Sequence, residues 1–366
     1  MPLEHLGTLE ASGTKPLEPS GTTGTRGTYR PLPRWAGGHR MTLYAWGKRR
    51  VLTLPAAEPR YFDVAPDARV LAHCNWQPDR KSAPTLLALH GLEGSSDAQY
   101  MRGLADKAFA AGFNVVRLNQ RNCGGTEHLS RGLYHSGLTA DPRYVLNELR
   151  DRDGLSRFGV AGYSLGGNLT MKLAGELADR DLPEVKAFAA VSPVIELEDC
   201  MQAIERRENR IYEWNFCRNL QGRMRRKNKR FPGVFNLDGL WKVWSIRAFD
   251  DRYTAPHHGY AGANDYYHRA SAMRVIDRVS RPSLILSATD DPFVPPHIFD
   301  APAVKNNPHI TTVITLNGGH CAFVEASHSA EASAEAASDK SAAKKHRYDG
   351  YFAERIVVQF LKEHIS

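Results

Sequence analysis

The sequence has no run approaching the ~20 consecutive apolar residues that a bilayer-spanning helix requires. Its first residues, "MPLEHLGTLEASGTKPLEPSGTTGTRG", lack the apolar block of a signal peptide. A soluble cytoplasmic protein is expected. Cysteine is sparse and unpatterned: Cys74, Cys123, Cys200, Cys217 and Cys321 are odd in number and widely scattered, with no C-x-x-C pair. That spacing argues against both a disulfide framework and a zinc knuckle. There is no internal repeat and no His-Glu-x-x-His, and no nucleic-acid reader motif accompanies the basic residues. No cofactor, no metal and no nucleic-acid partner is expected.

What is present is enough apolar residue for a sizeable core. With 366 residues, 42% of them apolar, the chain suits one large domain carrying an insertion, or two domains. Residues 1–28 are rich in Gly, Thr, Pro and Ser and read as a disordered tail, leaving 29–366 as the folded domain. A second biased stretch, "ASHSAEASAEAASDKSAAKKHR" at about 326–347, reads as a low-complexity surface insertion.

Between these, short apolar runs alternate with amphipathic ones. Strands are expected at 85–91, 113–119, 157–163, 185–193, 283–289 and 310–316, each an apolar run bounded by turn residues. Helices are expected at 97–111, 142–149, 169–178 and 350–363; in the third, Leu169, Leu173 and Leu177 form one apolar stripe. The pattern predicts an α/β fold, a mostly parallel central sheet with helices on both faces. Residues 197–275 break the rhythm and read as an inserted helical lid over the sheet's carboxyl edge.

The chemistry centres on "FGVAGYSLGGNLT", residues 158–170, with Gly162-Tyr163-Ser164-Leu165-Gly166 inside it. The bare Gly-x-Ser-x-Gly pattern is cheap, arising by chance in roughly one chain of this composition in seven. Its context is more specific. A strand runs into Ser164 and a helix starts just after it, the sharp turn that exposes a nucleophilic hydroxyl. Partners are required in the order acid, then His, each beyond a later strand. "SLILSAT" is followed by Asp290 and Asp291, and "ITTVITL" by Gly318-Gly319-His320. His297, His309, His328 and His346 are rival bases, but none directly follows a buried strand. Asp291 is preferred as the acid because Pro292 fixes the turn after it, with Asp290 the fallback. The N–H groups of Leu92, after His90-Gly91, and of Leu165 are the expected oxyanion donors. Any one of these residues alone is more ordinarily a turn residue; together, in order, they favour catalysis.

The combination resembles the α/β hydrolases. The segments "LNQRNCGGTE" (118–127), "YHSGLTAD" (134–141), "FDDRYTAPHHGY" (249–260), "DYYHRAS" (265–271) and "DDPFVP" (290–295) resemble the YheT-type esterase-like family in particular. The likeness covers about residues 50–325 and the final helix. Asn122 departs from it, standing where the family usually has glycine; asparagine tolerates left-handed backbone well. The resemblance implies serine hydrolase chemistry on carboxylic esters, with some eukaryotic relatives acting on lipids. A thioesterase or acyltransferase using the same three residues is the rival within enzymes. A non-catalytic binding module is the rival outside them.

Three other features have plainer readings. In 249–260, adjacent His257 and His258 cannot easily face one ion, so a structural junction is expected with Asp250 or Asp251 pairing Arg252. Cys321, beside His320, reads as packing. "RNLQGRMRRKNKR", residues 218–230, reads as the solvated cationic end of an amphipathic helix, with attraction to an anionic membrane as its functional alternative.

Overall fold

In the computed structural model, residues 29–48, 50–177, 181–326 and 349–365 are described. The N-terminal tail and nearly all of the Ala/Ser-rich insertion, with His328 and His346, lie outside the described residues.

Eight strands form one sheet: β1 (Glu58–Ala65), β2 (Ala68–Asn75), β3 (Thr85–Leu89), β4 (Asn114–Leu118), β5 (Phe158–Tyr163), β6 (Val185–Val191), β7 (Ser283–Ala288) and β8 (Ile310–Thr315). Their spatial order is β1-β2-β4-β3-β5-β6-β7-β8. The β1–β2 and β2–β4 pairs are antiparallel, and every pair from β4 to β8 is parallel. All six strands read from the sequence form within two residues of their expected ends.

β3, β4, β5 and β7 are buried along their whole length and β6 at all but Lys186, with both faces covered, whereas the edge strand β8 buries only Ile310 and Thr315 fully. On β3, Leu87 and Leu89 point into a core shared with α3 (Ala140–Asp151) and α4 (Leu165–Glu176). Leu86 and Ala88 point the other way, into a core shared with α2 (Gln99–Ala110) and the C-terminal helix Phe352–Ile365. The Leu169, Leu173 and Leu177 stripe lies in the first core, as its spacing predicts.

Two elements were not read from the sequence. β1 and β2 form an edge hairpin whose burial alternates, with Ala68, Val70, Ala72 and Cys74 inward; period-two alternation is its signal. α1 (Gly38–Gly47) packs beside the loop after β8 through Met41, Ala322 and Val324.

Residues 197–275 leave the sheet after β6 and return before β7. They form α5 (Leu197–Ile204), the long α6 (Arg210–Arg230) and the helix Ala263–Ala270, joined by shorter turns. The expected pairing of Arg252 with Asp250 or Asp251 is not what forms. Arg252 donates to the Asp238 carbonyl, Asp251 accepts from the Ala263 N–H at 2.6 Å, and Asp250 accepts from Tyr267 Oη at 2.8 Å. The two aspartates each serve a neighbouring helix, which leaves the arginine to the loop.

The basic run is also less solvated than its composition suggests. Lys227 is wholly buried, donating to Asn122 Oδ1 (2.9 Å) and the Ser130 carbonyl (2.5 Å), and Arg223 is buried against Glu93 at 3.1 Å. Asn122 has φ 66°, the left-handed conformation in which asparagine replaces glycine at low cost. Among the described residues, no helix is long and apolar enough to cross a membrane.

Candidate active site

Parallel strands deliver their following loops to one carboxyl edge, and here β3, β5, β7 and β8 deliver the residues read as functional. The turn after β5 is the most constrained. Ser164 has φ 54° and ψ −116°, a conformation that side chains adopt only when their surroundings force it. The forcing contacts are visible. Its N–H donates to the Val191 carbonyl at 2.9 Å, and its carbonyl accepts from the Asn168 N–H at 3.0 Å. A Cβ on Gly162 would collide with the Gly166 carbonyl, and one on Gly166 with the carbonyls of Leu89 and His90. Only glycine fits at both positions, so the strand and helix meet closely enough to push the serine side chain out.

Beyond β7, Asp291 accepts from the N–H groups of Phe293 (2.9 Å) and Val294 (3.1 Å) through Oδ1. Its Oδ2 lies 2.9 Å from His320 Nδ1, and the carboxylate is fully buried. Asp290 serves another purpose: its Oδ1 accepts from the Gly319 N–H at 2.9 Å, which shapes the loop carrying His320. Burial alone would lower the His320 pKa, but the Asp291 carboxylate, with Cys321, outweighs it and holds the imidazole above its ordinary value. Ser164 and His320 line the same cavity, with no direct hydrogen bond between them. Such contacts commonly tighten only when substrate is present.

The turn after β3 places the first expected oxyanion donor. The Gly91 N–H donates to Tyr100 Oη at 3.0 Å, Glu93 N–H to Tyr134 Oη at 3.0 Å, and Gly94 N–H to the Gly91 carbonyl at 3.0 Å. The Leu92 N–H alone in this turn has no partner among the described residues. His90 fixes the turn from beneath. It is fully buried, its Nδ1 lies 2.8 Å from the Gly91 carbonyl, and its Nε2 accepts from the Gln120 N–H at 3.1 Å. Burial pushes its pKa down to about 4, so it stays neutral. Leu165, the first residue of α4, has no helical carbonyl four residues back for its N–H.

Two spaces meet at Ser164. A cavity of about 70 Å³ lies against the inserted helices, walled by Leu197, Met201, Ile204, Ile246 and Phe249. A groove of about 670 Å³ opens on the other side between α1 and α6, bordered by Trp46, Tyr212, Asn215, Asn219 and Arg226. One carboxyl interrupts the apolar wall: Asp250, which burial pushes up to about 6 against hydrogen bonds from Thr254 and Tyr267.

The family model of the alpha/beta hydrolase fold matches residues 84–327. The chain belongs to the α/β hydrolase family. Over 243 residues it is 37% identical to YheT of Escherichia coli (strain K12), covering 66% of this chain and 71% of that one. This α/β hydrolase is therefore of the YheT-type esterase-like branch, within a class of ester-cleaving enzymes. It is also 31% identical over 248 residues to a phospholipase of Mus musculus, covering 68% of this chain and 60% of that one. Among solved structures, an esterase of Pyrococcus furiosus superposes with a TM-score of 0.52 at 15% identity, over 87% of this chain and 97% of that one. That likeness speaks to the fold.

Sequence reasoning missed the residues that hold these groups in place. Thr42 of α1 accepts from the His320 N–H at 2.8 Å, and Tyr100 and Tyr134 hold the Leu92 turn. Tyr134 opens the segment "YHSGLTAD" without announcing this contact, Tyr100 stands outside any motif, and Thr42 reaches His320 from far along the chain. Cys321, read as packing, directs Sγ toward the Val191 carbonyl at 3.8 Å. All five cysteines are unpaired.

Proposed function

We propose that this α/β hydrolase is a serine esterase that cleaves carboxylic esters through an acyl-Ser164 intermediate. The observation that carries the reading is the forced backbone of Ser164 on one cavity wall with His320, whose Nδ1 is paired with the buried Asp291. His320 Nε2 removes the Ser164 proton as Oγ attacks the ester carbonyl, and Asp291 holds Nδ1 protonated and stabilises the imidazolium. The N–H groups of Leu92 and Leu165 donate to the oxyanion. Collapse expels the alcohol, which takes the proton from His320, and water then repeats the sequence to release the acid.

The smaller, apolar cavity suits a short- to medium-chain acyl group, and the wider, more polar groove suits the alcohol part, as in a lipid-like ester. The phospholipase relative supports a lipid-like substrate. Weak contact with an anionic membrane fits the exposed Arg218, Arg225, Lys229 and Arg230 of the basic run.

The test is hydrolysis of p-nitrophenyl esters from acetate to palmitate by wild type, Ser164→Ala and His320→Ala. The esterase reading expects both variants to fall by at least about 10³-fold in kcat. Wild type that is folded yet inert on every ester would move the reading to thioester hydrolysis or acyl transfer. Failure of fluorophosphonate to label Ser164 would leave a binding module.

A further inference from the structure

Helix α6 belongs to the insertion, yet it reaches the heart of the site. Arg223, on its inner face, places Nη2 3.1 Å from Glu93 Oε1, with both side chains almost fully buried. Its guanidinium also lies 4.9 Å from the centre of the Tyr134 ring. Tyr134 Oη in turn lies 3.2 Å from Glu93 Oε1 and accepts from the Glu93 N–H. Glu93 has φ 56°, unusual for a residue that is neither glycine nor asparagine, so something must hold it there. The backbone it fixes is the turn, residues 91–94, in which Leu92 N–H alone lacks a partner among the described residues.

Stability alone is a weak explanation for this arrangement. A buried ion pair loses much of its Coulomb energy to desolvation, and an apolar pair of similar volume serves stability as well. Arg223 also keeps Nε and Nη1 buried without hydrogen-bond partners, a further cost. What an apolar pair would not do is fix the direction of one turn relative to one helix.

We propose that the Arg223–Glu93 pair is a positioning device that locks the Leu92 turn to the inserted helix, so that the oxyanion site is complete only while α6 is seated. This rests on the assignment of Ser164 as nucleophile and Leu92 N–H as oxyanion donor. Arg223 and Glu93 are positioning residues; neither is asked to touch the reacting atoms. Displacement of α6 breaks the pair, frees the left-handed turn to relax and turns the Leu92 N–H away from the oxyanion.

The experiment compares wild type with Arg223→Gln, Arg223→Lys, Glu93→Gln and the Arg223→Gln/Glu93→Gln double variant on one p-nitrophenyl ester, with melting temperatures measured alongside. The expected result is a fall in kcat of about 10- to 100-fold in each glutamine variant with KM within about twofold. Partial recovery in Arg223→Lys is expected, with a double variant no worse than the singles. The rate of fluorophosphonate inactivation, which uses the same oxyanion donors, falls with kcat. Variants that melt earlier but keep kcat, or that raise KM alone, overturn the proposal. If Arg223→Gln does not fold, Glu93→Gln, which keeps the acceptor without the charge, decides. Activity surviving in Ser164→Ala would instead remove the esterase reading, an outcome that these variants do not imitate.

Discussion

The Asp291 carboxylate meets His320 Nδ1 at 2.9 Å from a fully buried position, while also accepting two backbone N–H groups. Those two donors hold the carboxylate still, so the imidazole is fixed in the tautomer that leaves Nε2 free for the serine. The same carboxylate raises the His320 pKa against burial, which acts in the opposite direction.

A pH profile follows with a definite sign. With His320 as the proposed base, which works only when neutral, kcat/KM is expected to rise with pH through an apparent pKa above 6.5, the ordinary histidine value. In Asp291→Asn the carboxylate is gone and burial remains, so the acid limb moves to lower pH. The residual rate falls about 10³- to 10⁴-fold because the wrong tautomer is favoured. An acid limb that stays in place in Asp291→Asn would show that another group controls the histidine.

Gly166→Ala tests the packing of the turn. The added Cβ would press on the carbonyls of Leu89 and His90, rigid backbone of β3 and its following turn. The variant is expected to lose roughly 1–3 kcal/mol or more of stability, read as an earlier denaturant midpoint. It is also expected to lose most ester turnover. An unchanged midpoint would mean that strand and helix have room to separate.

How much of this was legible in the chain depends on the kind of signal involved. The six parallel strands were readable because each is a short, mostly apolar run between turn residues; five lie inside the sheet, and the edge strand β8 still carries Ile310, Val313 and Ile314. That Ser164, Asp291 and His320 would meet at one edge of the sheet was readable because each follows such a run. The β1–β2 hairpin was not, since an edge strand needs apolar residues on one side only and Glu58, Arg60 and Asp63 mask the alternation. The interior fate of Arg223 and Lys227 was hidden for another reason. Their partners Glu93, Asn122 and Ser130 lie about a hundred residues earlier, and no local pattern marks a buried cation.

That inward turn changes what a membrane would meet. Of the cations in 218–230, Arg223 and Lys227 are buried and the exposed Arg226 is paired with Glu127 at 2.7 Å, leaving Arg218, Arg225, Lys229 and Arg230 exposed and without an ion pair among the described residues. Each cation near an anionic surface contributes about 1 kcal/mol, screened by salt. Sedimentation with phosphatidylserine-containing liposomes should therefore show weak binding lost by about 0.5 M salt, and reduced in Arg218→Gln/Arg225→Gln. Absence of salt-sensitive binding at low ionic strength would end the membrane reading.

Asp250 offers a test by stability. Burial raises its pKa from 3.8 to about 6, against the hydrogen bonds it accepts from Thr254 and Tyr267. A raised folded-state pKa means that the carboxyl stabilises the fold while protonated, below about pH 4, and that this stability is lost as pH rises through 6. A rise of that size corresponds to about 3 kcal/mol. Asp250→Asn keeps an acceptor for Tyr267 Oη and removes the charge. Compared with wild type it should be more stable by up to about 3 kcal/mol at about pH 7.5, and nearly equal at about pH 4. Denaturant unfolding at the two pH values measures both differences. A variant equally destabilised at both would mean that the carboxyl is valued for its shape and hydrogen bonds, with its charge already compensated in the wall of the cavity.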